Sequence, residues 1–390
     1  VGTPSYVYAR ATLTRHIRVL REAFAAGPHL VCYSVKANSN LALLKLLHDE
    51  GCGFDIVSGG ELERVRKATR NRSRTVVFSG VGKTRDEMAE ALRAGILQFN
   101  IESEEELEAL DQVASEMGVA APFALRVNPD VDPRTHRYIA TGLKTSKFGV
   151  PFEEAIRLYR RSRRMKGVVA RGLDCHIGSQ LTETGPVRAA LAKVAGLYRQ
   201  LREERFDLQY LDVGGGLGIT YHGEEPPSPE EYGKVVLAAV KDTGATVILE
   251  PGRVLVGNAG ILLTRVLYRK VTESRTFVIV DAGMNDLLRP ALYEAHHEVH
   301  PVRQRRGKET VVDLVGPVCE SSDVLAKERR LVLPRPGDLF AVMSAGAYGM
   351  SMASTYNSRP RPAEVLVDGG SFRVIRKRER YEDLWRGETP

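Results

Sequence analysis

The chain has 390 residues, 43% hydrophobic and 27% charged, a globular balance that leaves no case for disorder and exceeds one ordinary core. A formal charge of +7 raises nucleic acid as a partner, but the basic clusters Arg160 to Lys166, Arg303 to Lys308 and Arg373 to Arg380 are scattered and lack interleaved aromatics, so nucleic acid is set aside. Cys32, Cys52, Cys175 and Cys319 show no paired spacing of disulfide or zinc-site type, and no apolar run suits a membrane span or secretory leader; reduced thiols in the cytoplasm are expected.

Short apolar, β-rich runs alternate with helix-like segments: Leu30 to Val35, Phe54 to Ser58, Val76 to Ser79, Leu97 to Ile101, Phe123 to Asn128, Gly172 to Ile177, Tyr210 to Val213 and Val247 to Glu250. Eight such strands predict an α/β fold of the (β/α)8, TIM-barrel type, where a doubly wound sheet needs fewer strands. Thr84 with Glu87, and Ser103 with Glu106, have the spacing of capping boxes, in which hydroxyl and carboxylate satisfy each other's free amide groups. Thr220 to Glu230, rich in Pro and Gly, reads as the longest loop, after the seventh strand. Beyond it, Gly260 to Val271, Thr276 to Val280, Val311 to Val315, Asp338 to Val342, Ala363 to Val367 and Phe372 to Ile375 read as strands joined by Gly/Pro turns without regular helices. The predicted organisation is a barrel over 9–257 and a β-rich domain, sandwich-like or barrel-like, over 258–390 joined by 1–8.

Active sites of such barrels are built at the C-terminal ends of the strands, and these ends carry reactive residues. Lys36 follows the first strand, Asp55 lies on the second, His176 and Ser179 follow the sixth, Gly214, Gly215 and Gly216 the seventh, and Glu250, Gly252 and Arg253 the eighth. A lysine at the end of an apolar strand is nucleophilic when desolvation lowers its pKa and suits a Schiff base; alone it reads first as a snorkelling surface residue, a preference that its place among the other strand ends reverses. The glycine run, with Gly252 and the Ser179 hydroxyl, offers backbone N–H groups to a phosphate or forms a plain tight turn. His176 can lie flat against a conjugated ring or be a satisfied core histidine.

Taken together, Thr3 to Tyr8, Tyr33 to Asn38, Val57 to Leu62, Arg126 to Pro129, Ser146 to Gly149, His176 to Gln180, Gly214 to Gly216, Glu250 to Arg253, Asn285 to Pro290, Cys319 to Asp323 and Ala345 to Gly349 follow one another as in a known family. The chain resembles the alanine-racemase-like, fold-type-III decarboxylases that use pyridoxal 5'-phosphate (PLP), and among them the diaminopimelate decarboxylases, over nearly its whole length. The resemblance implies that Lys36 carries PLP as a Schiff base, that Asp55 supports Lys36, that His176 stacks on the ring and that Glu250 meets the pyridine nitrogen. It implies phosphate binding by Ser179, Gly214, Gly215, Gly216, Gly252 and Tyr348, with Arg253 serving both phosphate and substrate. Arg253, Arg289 and Tyr293 would hold the distal carboxylate of meso-diaminopimelate, and Tyr348 would also face the substrate. Cys319 would reprotonate the α-carbon to give L-lysine, and Glu320 would recognise the distal ammonium. Cys319 and Glu320 come from the neighbouring subunit in this family, so a homodimer with shared sites is implied, with the second domain serving substrate and dimerisation. Taken singly, Cys319 also reads as a buried structural thiol, and Arg253 and Arg289 as ordinary ion-paired residues. No metal is implied.

Ser34 replaces a commoner alanine, and the stretch that usually precedes Thr3-Pro4 is largely absent. The start without Met is consistent with excision from a longer polypeptide, and some relatives are fused to a kinase. A racemase of the same fold would place arginine, not Glu250, at the pyridine nitrogen. An ornithine- or arginine-type decarboxylase has no distal carboxylate to bind and usually carries Asp after the cysteine, where Glu320 stands here. A non-catalytic PLP-binding regulator is expected to have lost Lys36 or Cys319; both are present.

Overall fold

The computed structural model describes residues 1–132 and 147–389, so Ser146 of the Ser146 to Gly149 motif lies outside the described residues. The chain divides into two compact units, one of Arg15–Ile219 and Glu225–Val254, the other of Val1–Thr14, Thr220–Glu224 and Leu255–Pro390. The strand β1 (Ser5–Ala9) belongs to the second.

The first unit is a closed parallel barrel of β2 (His29–Ser34), β3 (Gly53–Ile56), β4 (Val76–Phe78), β5 (Gln98–Ile101), β6 (Ala121–Arg126), β7 (Val168–Asp174), β8 (Tyr210–Asp212) and β9 (Thr246–Leu249), with β9 pairing back onto β2. Helices alternate with these strands, as parallel pairing requires a crossover. The segment Arg85–Ala94 opens with the expected capping box at Thr84 and Glu87. The second expected box is only half formed. Ser103 accepts from the Glu106 N–H at 3.1 Å, but the Glu106 carboxylate turns to Lys83 Nζ at 2.6 Å and the Glu102 N–H at 2.9 Å. An available buried cation outcompetes the local cap. The loop after β8 is shorter than expected. Ser228 and Glu231 form a capping box that opens a helix at Pro229–Val240, with Pro at the first helical position, where no N–H is needed.

The second unit is a mixed sheet in the order β14-β13-β11-β10-β1-β16-β17, with β15 on β10 and β12 on β15. Its later strands are β10 (Gly260–Val271), β11 (Thr276–Val280), β12 (Val299–Pro301), β13 (Glu309–Val315), β14 (Val324–Val332), β15 (Leu339–Val342), β16 (Ala363–Asp368) and β17 (Ser371–Arg376). Two of these had no counterpart among the expected strands. In β14 the run Lys327-Glu328-Arg329-Arg330 breaks the apolar alternation, and β12 is three residues long and ends in Pro. A short helix, Arg289–Tyr293, also interrupts what was expected to be helix-free.

Candidate active site

Alternation along the strands builds a polar layer on an apolar one. Cys32, Val77 and Ile248 form a buried cluster with Leu30, Leu97 and Tyr210 packed against it. Two residues further on a strand the side chain returns to the same face, roughly 6.6 Å along. That step carries Cys32 to Ser34, Val77 to Ser79, Tyr210 to Asp212 and Ile248 to Glu250, and Asp55, Asn100, Arg126 and Asp174 sit at or near the ends of the remaining strands. All eight are buried.

Lys36 lies in a one-turn helix, Val35–Ala37, just past β2. Its Nζ is 3.3 Å from Asp55 Oδ2, with the lysine side chain 40% exposed and that of Asp55 not at all. The amine is therefore reachable while its counter-charge is fixed beneath it. The same Asp55 oxygen accepts from Ser34 Oγ at 2.8 Å, and Asp55 Oδ1 is buried with no hydrogen-bond partner.

After β7, His176 Nδ1 accepts the Gly215 N–H at 3.2 Å, which leaves the imidazole proton on Nε2. Burial, with the positive charges of Arg126 and Lys36, holds the ring's pKa well below the usual range, so it is neutral. The glycines are required by this close approach. A Cβ on Gly214 would fall 2.4 Å from His176 Nδ1, and one on Gly215 would fall 2.1 Å from the Glu250 carbonyl oxygen. Beside them, Arg253 Nη2 donates to Ser179 Oγ at 3.0 Å, and Arg253 is buried rather than a surface ion-pair residue.

Four acids of this layer compete for few cations. Burial raises the carboxyls of Asp174 and Glu250 well above the ordinary range and that of Asp212 to about 7. Arg126 is committed to Glu102, its Nη1 2.9 Å from Oε1, and Glu102 Oε2 also takes the Gly149 N–H at 3.0 Å. Ser79, Asn100, Asp174, Asp212, Glu102 and Arg126 were absent from the expected site. Their signal was positional: polar residues on strands whose other inward positions are apolar.

The sheet unit carries the remaining expected residues. Arg289 is buried; its Nη1 donates to His297 Nε2 at 3.0 Å, and its guanidinium lies 4.4 Å from the centre of the Tyr221 ring. Tyr293 ends the same short helix, four residues on and hence on one face with Arg289. Tyr348 has a left-handed backbone, φ 55°. Cys319 is exposed, not a buried structural thiol; its N–H donates to Asn357 Oδ1 at 3.0 Å, and the Tyr356 hydroxyl donates to Glu320 Oε1. Both contacts come from one turn, Tyr356–Ser358, in which Asn357 and Ser358 have positive φ. That turn too was missed.

Elsewhere in the sheet unit His222, His296 and Glu298 bring their ligand atoms within 4.8 Å of one another. Arg329 Nη2 lies 2.9 Å from His296 Nδ1, and arginine can only donate, so the imidazole proton sits on Nε2, which faces Glu298 Oε1 at 2.8 Å. This is a hydrogen-bonded cluster, not a free ligand set.

The model of the "pyridoxal-dependent decarboxylase, pyridoxal binding domain" family matches residues 10–257. Diaminopimelate decarboxylase of Vibrio cholerae is 51% identical over 389 residues, covering 100% of this chain and 93% of that protein. The chain belongs to the diaminopimelate decarboxylases. The Pseudomonas aeruginosa diaminopimelate decarboxylase is 52% identical over 388 residues, with the same coverages of 100% and 93%. The crystal structure of the Helicobacter pylori diaminopimelate decarboxylase, complexed with L-lysine, superposes with a TM-score of 0.96 at 43% identity and covers 99% of this chain and 96% of that one.

Diaminopimelate decarboxylases are PLP enzymes, and the residues here fit that cofactor. A half-buried amine stands over a fixed carboxylate, a neutral imidazole is held edge-on by a glycine N–H, and a buried acid, Glu250, belongs to the same layer. The Ser179 and Arg253 pair adjoins the glycine run, the combination of donors a phosphate needs.

Proposed function

We propose that this chain removes CO2 from the D-configured centre of meso-diaminopimelate to yield L-lysine, the last step of lysine biosynthesis, as a cytoplasmic homodimer with shared active sites. The observation that carries the reading is the single buried layer holding Asp55, Asp212 and Glu250 beneath the accessible Lys36 amine. When bound, PLP supplies an electron sink for the charge left on the α-carbon as CO2 departs.

Lys36 tethers the cofactor, and Asp55 orients the amine and receives its proton. His176, locked in one tautomer by Gly215, offers a flat neutral face, and Glu250 meets the pyridine nitrogen. Ser179, Arg253, Gly252, Tyr348 and the N–H groups of Gly214 to Gly216 hold the phosphate. Arg253, Arg289 and Tyr293 bind the distal carboxylate of the substrate, with Tyr348 beside it. From the neighbouring subunit, Glu320 binds the distal ammonium and the Cys319 thiol delivers the proton to the α-carbon. Four free thiols, three of them buried, support a reducing compartment. No helix among the described residues is long and apolar enough to cross a membrane. The barrel over 9–257 binds the cofactor, and 258–390 with 1–8 serve substrate and dimerisation.

The test is incubation of the PLP-loaded protein with meso-diaminopimelate, ornithine, arginine and alanine, assaying CO2, chiral lysine and racemised alanine. Lysine formed from the first alone is expected. Racemised alanine without CO2, or amine products from ornithine or arginine, would overturn the substrate assignment.

A further inference from the structure

Behind Glu250 the barrel holds a second carboxyl that the roles above do not use. Asp212 is fully buried at the end of β8; its Oδ1 accepts the Gly214 N–H at 2.9 Å and its Oδ2 accepts Asn100 Nδ2 at 3.1 Å. The same Asn100 amide reaches 3.4 Å from Glu250 Oε1, which also receives the Ser79 hydroxyl at 3.2 Å. Asn100 cannot swing away, because Gln98 Nε2 donates to its Oδ1 at 2.9 Å. Asn100 Nδ2 thus bridges two buried carboxyls, and burial this close together disfavours ionising both, so one of the two holds a proton.

The donors decide which. Asp212 has two fixed N–H groups on separate oxygens, an arrangement that favours a carboxylate. Glu250 has a rotatable hydroxyl and the far edge of one amide, on a single oxygen. The shifts agree in direction: Asp212 lies at about 7, and Glu250 is raised well above its usual range, by burial and then by the charges of Asp212, Asp55 and Asp174 against Lys36. Asp212 therefore ionises first, and Glu250 keeps the proton.

We propose that Asp212 is a positioning residue for the pyridine nitrogen of PLP: its fixed negative charge behind Glu250 raises the proton affinity of that carboxyl, and hence of the nitrogen Glu250 faces. One proton is shared along the line. It leaves a Glu250 oxygen as the N–H bond forms and returns when that bond breaks, so none is taken from solvent. The inference rests on the reading of Glu250 as the partner of that nitrogen.

The experiment is 15N NMR of holoenzyme loaded with PLP labelled at the ring nitrogen, followed against pH in wild type, Asp212→Asn and Glu250→Gln. Asp212→Asn should lower the pH at which the nitrogen loses its proton by about one to three units, the usual size for removal of an adjacent buried charge. A merely structural role would weaken PLP retention without moving that titration. Should Asp212→Asn titrate like wild type while Glu250→Gln holds the nitrogen unprotonated, the inference is overturned and the Glu250 reading survives. Should Glu250→Gln also leave the nitrogen unchanged, both fail together. If Asp212→Asn does not fold, Asp212→Ser, which removes the charge with a smaller side chain, should shift the titration the same way; an unshifted Asp212→Ser curve then overturns the inference.

Discussion

The acids beneath Lys36 in the barrel and the Cys319–Glu320 pair of the sheet unit are held in opposite ways. In the barrel, Asp174, Asp212 and Glu250 are buried where desolvation raises their carboxyls, and the Gly214 N–H and the Asn100 amide fix the orientation of Asp212. In the sheet unit, Cys319 and Glu320 stand exposed, each steadied by one bond from the Tyr356–Ser358 turn. A buried network sets charge states before any ligand arrives, whereas an exposed thiol and carboxylate depend on what comes to cover them. Substitutions at Lys36 and the barrel acids should therefore change the state or retention of PLP, and substitutions at Cys319 and Glu320 should change turnover with PLP in place.

The sharpest test of the first half is Lys36→Ala, which should abolish the absorbance of covalently held PLP together with CO2 release. A variant that kept both would break the comparison at its strongest point. For the second half, Cys319→Ala should leave cofactor absorbance as in wild type and lower kcat by about 10²- to 10⁴-fold, the range for loss of a general acid. An effect confined to KM would remove the thiol from the chemistry.

A third test asks whether burial alone raises a carboxyl in the sheet unit as it does in the barrel. Asp286 is buried, accepts the Gly283 N–H at 2.9 Å and the Asn285 side-chain amide at 3.1 Å, and is pushed to about 7, chiefly by burial. A carboxyl raised in the folded state binds its proton more tightly there. Its contribution is complete below the unfolded value of about 4 and is lost as pH rises through about 7. Asp286→Asn stays neutral and avoids that loss. The stability of Asp286→Asn relative to wild type should thus climb between pH about 4 and about 7, by of the order of a few kcal/mol, read as a growing difference in Tm. A flat difference would mean that the two N–H bonds offset burial.

What the sequence disclosed follows the same division. The barrel was legible because parallel strands buried on both faces appear as apolar runs at regular spacing, and the strand ends that carry Lys36, His176, the glycines and Glu250 break those runs with reactive residues. The network under them was not. Ser79, Asn100 and Asp212 are ordinary polar residues, and only strand pairing and shear reveal that residues as distant in sequence as Ser79 and Glu250 meet at 3.2 Å. In the sheet unit β14 was hidden by its charged centre, and the Tyr356–Ser358 turn by backbone geometry that no pattern announces, since Asn357 and Ser358 take positive φ without glycine. The failed box at Ser103 and the missed one at Ser228 teach that a capping motif is a local preference, overridden where Lys83 offers Glu106 a buried partner and overlooked where Pro and Gly nearby suggest a loop.

The smallest expected effect tests how finely the barrel network is tuned. Ser34 has one hydroxyl hydrogen and two acceptors within reach, Asp55 Oδ2 at 2.8 Å and the Glu250 carbonyl at 3.1 Å. The nearer is also the oxygen 3.3 Å from Lys36 Nζ, so the hydroxyl takes up part of the charge that would otherwise act on the amine alone. Ser34→Ala removes a neutral hydrogen bond from a buried carboxylate, worth about 1 kcal/mol. It also leaves Asp55 to hold the Lys36 ammonium more firmly. Apoprotein carrying this change should take up PLP more slowly, with kcat/KM lowered by less than about tenfold, the equivalent of that one bond. A reconstitution profile identical to wild type would place the hydroxyl hydrogen on the Glu250 carbonyl instead, and Asp55 would then act on Lys36 without help from its neighbour.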